Sequence, residues 1–339
     1  MKKLKPIYEQ VIVITGASSG IGLVTARMAA KRGARVVVAA RNESALQQLA
    51  NEINSTGGEA IAVTADVGKE DDVNRIAAEA IAAFGGFDTW VNNAGVSIFG
   101  HTTDVTIPDM RRMFDTNFWG VVYGSRAAVQ HFKENGTGGA IINTGSFFGD
   151  RAVVLQSTYA ASKHAVHGWT DAMRMELEKQ KLPISVTLLH PGRIDTPYNE
   201  HARSYIAHQP AHRGMLYPPE SVAEAILYAA AHPKRDIFIG SQSKLLVVAS
   251  HLFPRFMDKF MEVYAYPTQQ SSRPSRSRED NALYEAGYGL HERGTHEGMV
   301  RKGSVYVATA KYPVATAVAV GAIAAGFFAF NKIRKLKVS

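Results

Sequence analysis

The chain has 339 residues, 46% of them apolar, a formal charge of +8 and no cysteine. That length admits two domains or one large α/β domain with an appendage, and the apolar share is enough for a sizeable core. The missing cysteine excludes disulfides, thiolate metal sites and cysteine nucleophiles, while the charge leaves an anionic partner open.

The first ten residues, "MKKLKPIYEQ", are basic but lack the apolar stretch of a secretory signal, so the body of the protein is expected to be cytoplasmic. Short β-branched apolar runs then recur: Val11–Thr15, Arg35–Ala40, Ala60–Ala65, Asp88–Ala94, Gly139–Gly145, Ile184–His190 and, as a seventh, Arg235–Gly240. Runs of this kind suit strands buried on both faces of a parallel sheet. Helical patterns such as "GLVTARMAAKRG" and "DVNRIAAEAIAAFG" separate them, so the reading is a doubly wound α/β sheet over residues 1–240. Ligands in such sheets bind beyond the carboxyl ends of the strands.

Residues 241–266 read as two short helices broken at Pro254. Residues 267–303, rich in Ser, Arg and Pro where they begin, read as a flexible linker with little to bury. The last segment, 304–339, holds twenty uncharged residues between Lys311 and Lys332, followed by a basic end. As a helix it would be about 30 Å long, one hydrocarbon thickness. It is therefore expected to be a membrane anchor, a transmembrane helix with Ala317, Gly321 and Ala325 spaced for close packing, or alternatively a buried or oligomerising helix. Lys311, Lys332, Arg334, Lys335 and Lys337 have no acidic neighbour after Ser304, which favours a lipid surface; no pattern of interleaved basic and aromatic residues supports nucleic acid.

Chemistry concentrates at five places. The first apolar run ends in "TGASSGIG", Thr15–Gly22, where Gly16, Gly20 and Gly22 permit a tight turn and close approach of phosphates to a helix N-terminus. The glycine spacing differs from the common dinucleotide fingerprint, and the lysine of a triphosphate loop is missing. "NNAG", Asn92–Gly95, closes the fourth run, a lone Ser146 follows the fifth, and "PG", Pro191–Gly192, follows the sixth. In "STYAASKHAV", Tyr159 and Lys163 lie four residues apart, one turn on one helical face.

Together these motifs resemble the short-chain dehydrogenase/reductase family, in that family's order over about residues 8–240. The resemblance implies a Rossmann-type sheet with a C-terminal extension, and an enzyme that moves a hydride between a nicotinamide and a carbonyl or secondary alcohol. It assigns Tyr159 as general acid or base, Lys163 as the cation that favours its phenolate, Ser146 as the group bonded to the substrate oxygen, and Asn117 as the holder of a water linking Lys163 to solvent. A free tyrosine titrates near ~10, and lowering it by about three units needs roughly 4 kcal/mol, much of which a partly desolvated ammonium can supply. Gly145 departs from the serine common in the family, with a small effect on pocket shape expected.

Cofactor contacts are implied for Gly16, Ser18, Ser19, Gly20, Ile21, Gly22, Asp66, Val67, Asn93, Ala94, Gly95, Tyr159, Lys163, Pro191, Gly192, Ile194 and Thr196. Asp66 would meet the adenine amino group, Asn93 would lie beneath the ribose, and Ile194 and Thr196 would meet the carboxamide. The choice of dinucleotide follows from charge. Where an NAD site places an acid, at the end of the second strand, the chain has Ala40 followed by Arg41. A guanidinium grips a 2′-phosphate bidentately, with Ser18 and Asn42 as helpers, so NADP(H) is preferred over NAD(H). His201, His208 and His212 fall in the segment Tyr198–Met215, the expected substrate lid, at intervals that make no compact metal set. His190 reads as a core or rim histidine. A small-molecule carbonyl or alcohol, lipophilic if the tail meets a membrane, is the expected partner. A homodimer or homotetramer is expected too, with Ala161, Ala165 and Gly168 allowing close helix packing. Two alternatives stay open: a catalytically silent NADP-binding sensor or membrane scaffold, and a sugar-nucleotide epimerase or dehydratase.

Overall fold

Alternation along the first strand already divides the core in two. Successive side chains of a strand point to opposite faces. In the computed structural model, which describes residues 4–296, 298–301, 303, 304, 307 and 309, β1 (Val11–Thr15) sends Ile12 and Ile14 into one core and Val11 and Val13 into the other. The first core packs against α1 (Gly20–Lys31), α2 (Glu43–Ser55) and α7 (Pro219–Ala231); the second packs against α3 (Glu70–Phe84), α5 (Gly120–Glu134) and α6 (Ser157–Lys179). Ile12 and Ile14 are fully buried, worth about 2–3 kcal/mol each by burial of apolar surface.

All seven apolar runs become strands of one sheet. After β1 come β2 (Arg35–Ala40), β3 (Glu59–Thr64), β4 (Thr89–Asn92), β5 (Gly139–Thr144), β6 (Ile184–Pro191) and β7 (Asp236–Ile239). Their order is β3-β2-β1-β4-β5-β6-β7, and every pairing is parallel. The order in which successive strands are added reverses between β1 and β4, which opens a crevice at their carboxyl ends, the ligand position in this architecture.

A buried polar chain fixes the helices that carry the chemistry. Asn92, last residue of β4, accepts from Trp90 Nε1 at 2.8 Å and donates to Asn143 Oδ1 at 2.8 Å; Asn143 in turn donates to Thr170 of α6 at 2.9 Å. Gly124 of α5 lies over this chain, where a Cβ would stand 2.2 Å from Asn92 Oδ1. Such a network, fully bonded, sets α5 and α6 in one position on the sheet.

Beyond β7 come α8 (Ser241–Leu252) and α9 (Pro254–Phe260); Val247 and Met257 on them, and Met261 just after them, pack against Phe147 and Val153. Residues 267–303 depart from the linker expectation. Gln270–Pro274 pairs antiparallel with His208–Pro210, and Met299–Val300 pairs with Met215–Leu216. Between them the chain runs over the crevice, held by backbone bonds at Ser275, Ala282, Leu290 and His291 and by side-chain bonds from residues such as Arg41, Asn42 and Arg112 to its carbonyls, contacts that composition does not count. The apolar run 312–331 lies outside the described residues. Among those that are described, no helix is long and apolar enough to cross a membrane.

Candidate active site

The glycine-rich turn is as tight as backbone permits. Gly16 and Gly20 have φ of +68° and +51°, a region that costs other residues strain. A Cβ on Gly16 would lie 2.7 Å from Ala94 Cα, and one on Gly22 would lie 2.2 Å from the Gly16 carbonyl oxygen. Thr15 Oγ1 accepts the amides of Asn93 (3.0 Å) and Ala94 (3.2 Å), while Asn93 Nδ2 donates to the Thr15 carbonyl at 3.1 Å. These bonds lock the turn to the segment after β4. The result is a cradle at the positive end of α1, the arrangement that favours phosphates. Gly16, Ser18, Ser19, Gly20 and Ile21 line the cleft, as do Asn93, Ala94 and Gly95. Gly22 does not; it serves the turn by letting α1 approach Gly16.

At the end of β2, Arg41 lines the same cleft beside Ala40, Asp66 and Val67. β2 itself ends in Ala40 rather than an acid, and the carboxylates of Asp66 and Glu285 act on the Arg41 guanidinium from outside the strand. Asp66 is paired with Arg112 at 2.6 Å and accepts the Gly68 amide at 3.0 Å. On the far side, Pro191, Gly192, Ile194 and Thr196 complete the wall.

Ser146, Tyr159 and Lys163 meet in the middle of this cleft. Tyr159 and Lys163 share a face of α6, and Lys163 Nζ lies 5.8 Å from the centre of the tyrosine ring. Its ammonium donates to the Thr144 carbonyl at 2.8 Å, and burial lowers its pKa from 10.5 to about 8. Burial also raises the Tyr159 hydroxyl above its ordinary value, against the opposing hydrogen bonds with Ser146 and Tyr198. The direction is therefore opposite to that expected from the lysine alone: desolvation outweighs the hydrogen bonds with Ser146 and Tyr198. Asn117 lies in a π-turn, Asp115–Trp119, between α4 (Ile107–Phe114) and α5, and does not line the cleft. Its Oδ1 accepts the Val96 amide at 2.9 Å, and its Nδ2 donates to the Val96 carbonyl at 3.0 Å and to Ser162 at 3.2 Å. The side chain is thus spent on the loop after β4.

Three neighbours were not assigned chemistry from the sequence. Tyr198 stands edge-on to Tyr159, ring centres 5.5 Å apart, and its hydroxyl bonds Ser97 at 2.8 Å and Gln156 at 3.0 Å. Behind Ser146, His167 and His190 share Asp150, at 3.4 Å and 2.7 Å, and His167 Nε2 accepts the Ser146 amide at 3.4 Å. Among the described residues this trio is the one set of three possible metal ligands, and hydrogen bonds within the fold already engage it. His201 packs on Tyr288 and His212 stacks on Tyr198, so the lid histidines do not converge. The trio also explains Gly145: a Cβ there would lie 2.4 Å from His167 Nε2 and 2.7 Å from the Leu189 carbonyl oxygen. A signal was present in the sequence, a glycine where a serine was expected, but its partner lay 22 positions away.

Residues 10–206 match the short chain dehydrogenase family. The chain is 62% identical over 324 residues, 95% of its length and 91% of the relative's, to the uncharacterized oxidoreductase YxnA of Bacillus subtilis (strain 168). Among solved structures it is similar to a short-chain type dehydrogenase/reductase from Mycobacterium marinum, at 31% identity and a TM-score of 0.60, over 69% of this chain and 94% of that one. It is similar also to a short chain dehydrogenase/reductase from Burkholderia phymatum in complex with NAD, at 26% identity and a TM-score of 0.64, over 80% of this chain and all of that one. A seven-stranded parallel sheet, a glycine cradle at its crevice and a Ser–Tyr–Lys cluster beside it thus accompany a direct family match: the chain is an oxidoreductase of the short-chain dehydrogenase/reductase family.

Proposed function

We propose that the protein is an NADP(H)-dependent oxidoreductase acting on a carbonyl or secondary alcohol, with Tyr159 moving the proton. The observation that carries this reading is the convergence of Ser146, Tyr159 and Lys163 in the cleft that also holds the glycine cradle and Arg41. The nicotinamide, when bound, supplies or accepts the hydride. Every other task falls to the chain. The N-terminal turn of α1 holds the pyrophosphate; Arg41, with Ser18 and Asn42 beside it, holds the 2′-phosphate, whose bidentate recognition suits a guanidinium. Asp66 and Val67 border the adenine, Asn93, Ala94 and Gly95 support the ribose side, and Pro191, Gly192, Ile194 and Thr196 flank the carboxamide.

In the reducing direction Ser146 donates to the substrate carbonyl oxygen and Tyr159 protonates it. A hydroxyl raised by burial is fully protonated at neutral pH, as an acid must be, and the ammonium of Lys163 then stabilises the phenolate left behind. Asn117, its side chain engaged by Val96 and Ser162, acts as a positioning residue that ties the loop after β4 to α6. Tyr198 and Ser97 wall the substrate side. The exposed face of α6, Ala161 and Gly168 with open space over Gly168, supports a homo-oligomer through α5 and α6. Exposed Leu252, Phe253 and Phe256 support contact with a lipophilic phase and hence a lipophilic substrate. The test is a titration with NADPH and NADH followed by turnover on a carbonyl panel for wild type and Tyr159→Phe. Binding in both with turnover in wild type alone is expected. Binding without turnover on any carbonyl or alcohol would instead favour a silent sensor.

A further inference from the structure

Residues 278–296 cross the cleft at its adenosine end, and the groups they occupy belong to the nucleotide site. Leu290 donates its amide to the Ser18 carbonyl at 2.7 Å, and the Gly20 amide donates to the His291 carbonyl at 2.9 Å. Asn42 Nδ2 donates to the Gly287 carbonyl at 2.8 Å. Arg41 gives three N–H bonds, to the carbonyls of Ala282, Leu283 and Tyr284, at 2.5–3.2 Å. A guanidinium has five donors, so two are left, the number a bidentate grip on phosphate uses. Ala282, Ala286, Gly287 and Tyr288 face the cleft itself, opposite the glycine cradle.

The seating is specific. Leu283 is fully buried in the cluster that contains Met113 and Tyr159, and Tyr284 donates to Asp109 at 2.7 Å. Glu292 pairs with Arg27 at 2.7 Å, and Arg293 pairs with Glu220 at 2.6 Å. Gly289 lies so close to α2 that a Cβ would stand 2.3 Å from Ala45 Cβ. Yet the apolar anchorage is limited to Leu283, Ala282 and the half-buried Leu290 packed on the first core, and the remaining bonds are polar and partly solvated. Segments held this way open at a fraction of the global unfolding free energy.

We propose that residues 282–291 are a clasp on the nucleotide: they set Arg41 with two donors free for the 2′-phosphate, and they must lift for the dinucleotide to enter or leave. The inference rests on the cleft being a dinucleotide site with Arg41 as its 2′-phosphate ligand. It adds a segment outside the sheet to the binding machinery and makes release a property of the C-terminal chain.

The experiment uses the full-length protein and compares wild type, Gly289→Val and Arg41→Ala. Nucleotide affinity is read by fluorescence, and the release rate by stopped-flow displacement. Gly289→Val, which forces the clasp off α2, should speed NADPH release at least about tenfold and weaken NADPH binding more than NADH binding. An unchanged release rate, or tighter NADPH binding, overturns the clasp; the second result would mean that these residues block the site. If Arg41→Ala leaves NADPH affinity unchanged, the 2′-phosphate assignment fails, and Gly289→Val release rates still decide whether the clasp gates whichever nucleotide binds. Should Gly289→Val not fold, hydrogen exchange on wild type decides: saturating NADPH should slow exchange of the Leu290 amide at least about tenfold, and no slowing overturns the proposal.

Discussion

Replacing Lys163 with methionine should stabilise the nucleotide-free protein while removing turnover. The ammonium is buried in α6 with one hydrogen bond, to the Thr144 carbonyl at 2.8 Å, and burial lowers its pKa from 10.5 to about 8. At about 1.4 kcal/mol per pH unit, that depression is a penalty of about 3 kcal/mol for carrying the charge in the folded state at pH 7. Methionine fills a similar volume without charge but leaves the Thr144 carbonyl without this donor, a loss of about 1–2 kcal/mol. The net gain is about 1–2 kcal/mol at pH 7. The pH dependence supplies the sign. Between about pH 8 and 10.5 the unfolded lysine holds a proton that the folded one has released, so wild type gains stability as pH rises through that window. The advantage of Lys163→Met should therefore be full below pH 8 and shrink toward pH 10.5. Urea unfolding at two pH values, one below and one inside that window, without nucleotide, measures it. A variant less stable than wild type at pH 7, or a difference independent of pH, would refute the reasoning.

Other perturbations follow from the same contacts. Hydrogen bonds from His167 and His190 overcome burial and hold the Asp150 carboxyl well below its ordinary 3.8, so its contribution is present above that value and lost as pH falls. Asp150→Asn should cost about 2–3 kcal/mol in urea unfolding at pH 7 and flatten the acid limb below about pH 4; an unchanged acid limb would exclude the carboxylate as its source. Gly145→Ser, which restores the family's residue, should destabilise by about 1–3 kcal/mol because its Cβ meets His167, and Gly145→Ser with His167→Ala should recover part of that loss in thermal melts. Arg41→Ala should weaken NADPH binding by about 2 kcal/mol and NADH binding by much less, which paired titrations measure.

How much of this was legible in the sequence depends on which force holds each part. The seven strands were legible because a strand buried on both faces must be apolar throughout, as Val36, Val37 and Val38 of β2 are. Gly16 and Gly22 were legible because close backbone contact excludes a side chain there, and Gly20 because its φ is positive. The clasp was not, since much of its attachment runs through carbonyl groups that every sequence possesses, and its side-chain anchors, Leu283, Tyr284 and Leu290, are scattered singly among polar residues. The trio behind Ser146 was hidden for another reason: Asp150, His167 and His190 come from a turn, a helix and a strand, and only the packed sheet brings them together. The raised hydroxyl of Tyr159 likewise follows from burial, a property of the assembled cleft rather than of the Tyr–Lys spacing.

Central to the account is that this cleft passes a hydride while Tyr159 passes the proton. NADPH deuterated at the transferring position of the nicotinamide, mixed with the full-length protein and a panel of lipophilic and small ketones, tests this directly by mass spectrometry of the alcohol formed. The account predicts one deuterium on the carbinol carbon with wild type and none with Tyr159→Phe, although that variant still binds NADPH. Equal transfer by Tyr159→Phe would contradict the role of the tyrosine, and bound NADPH that reduces no ketone in the panel would contradict the reductase reading.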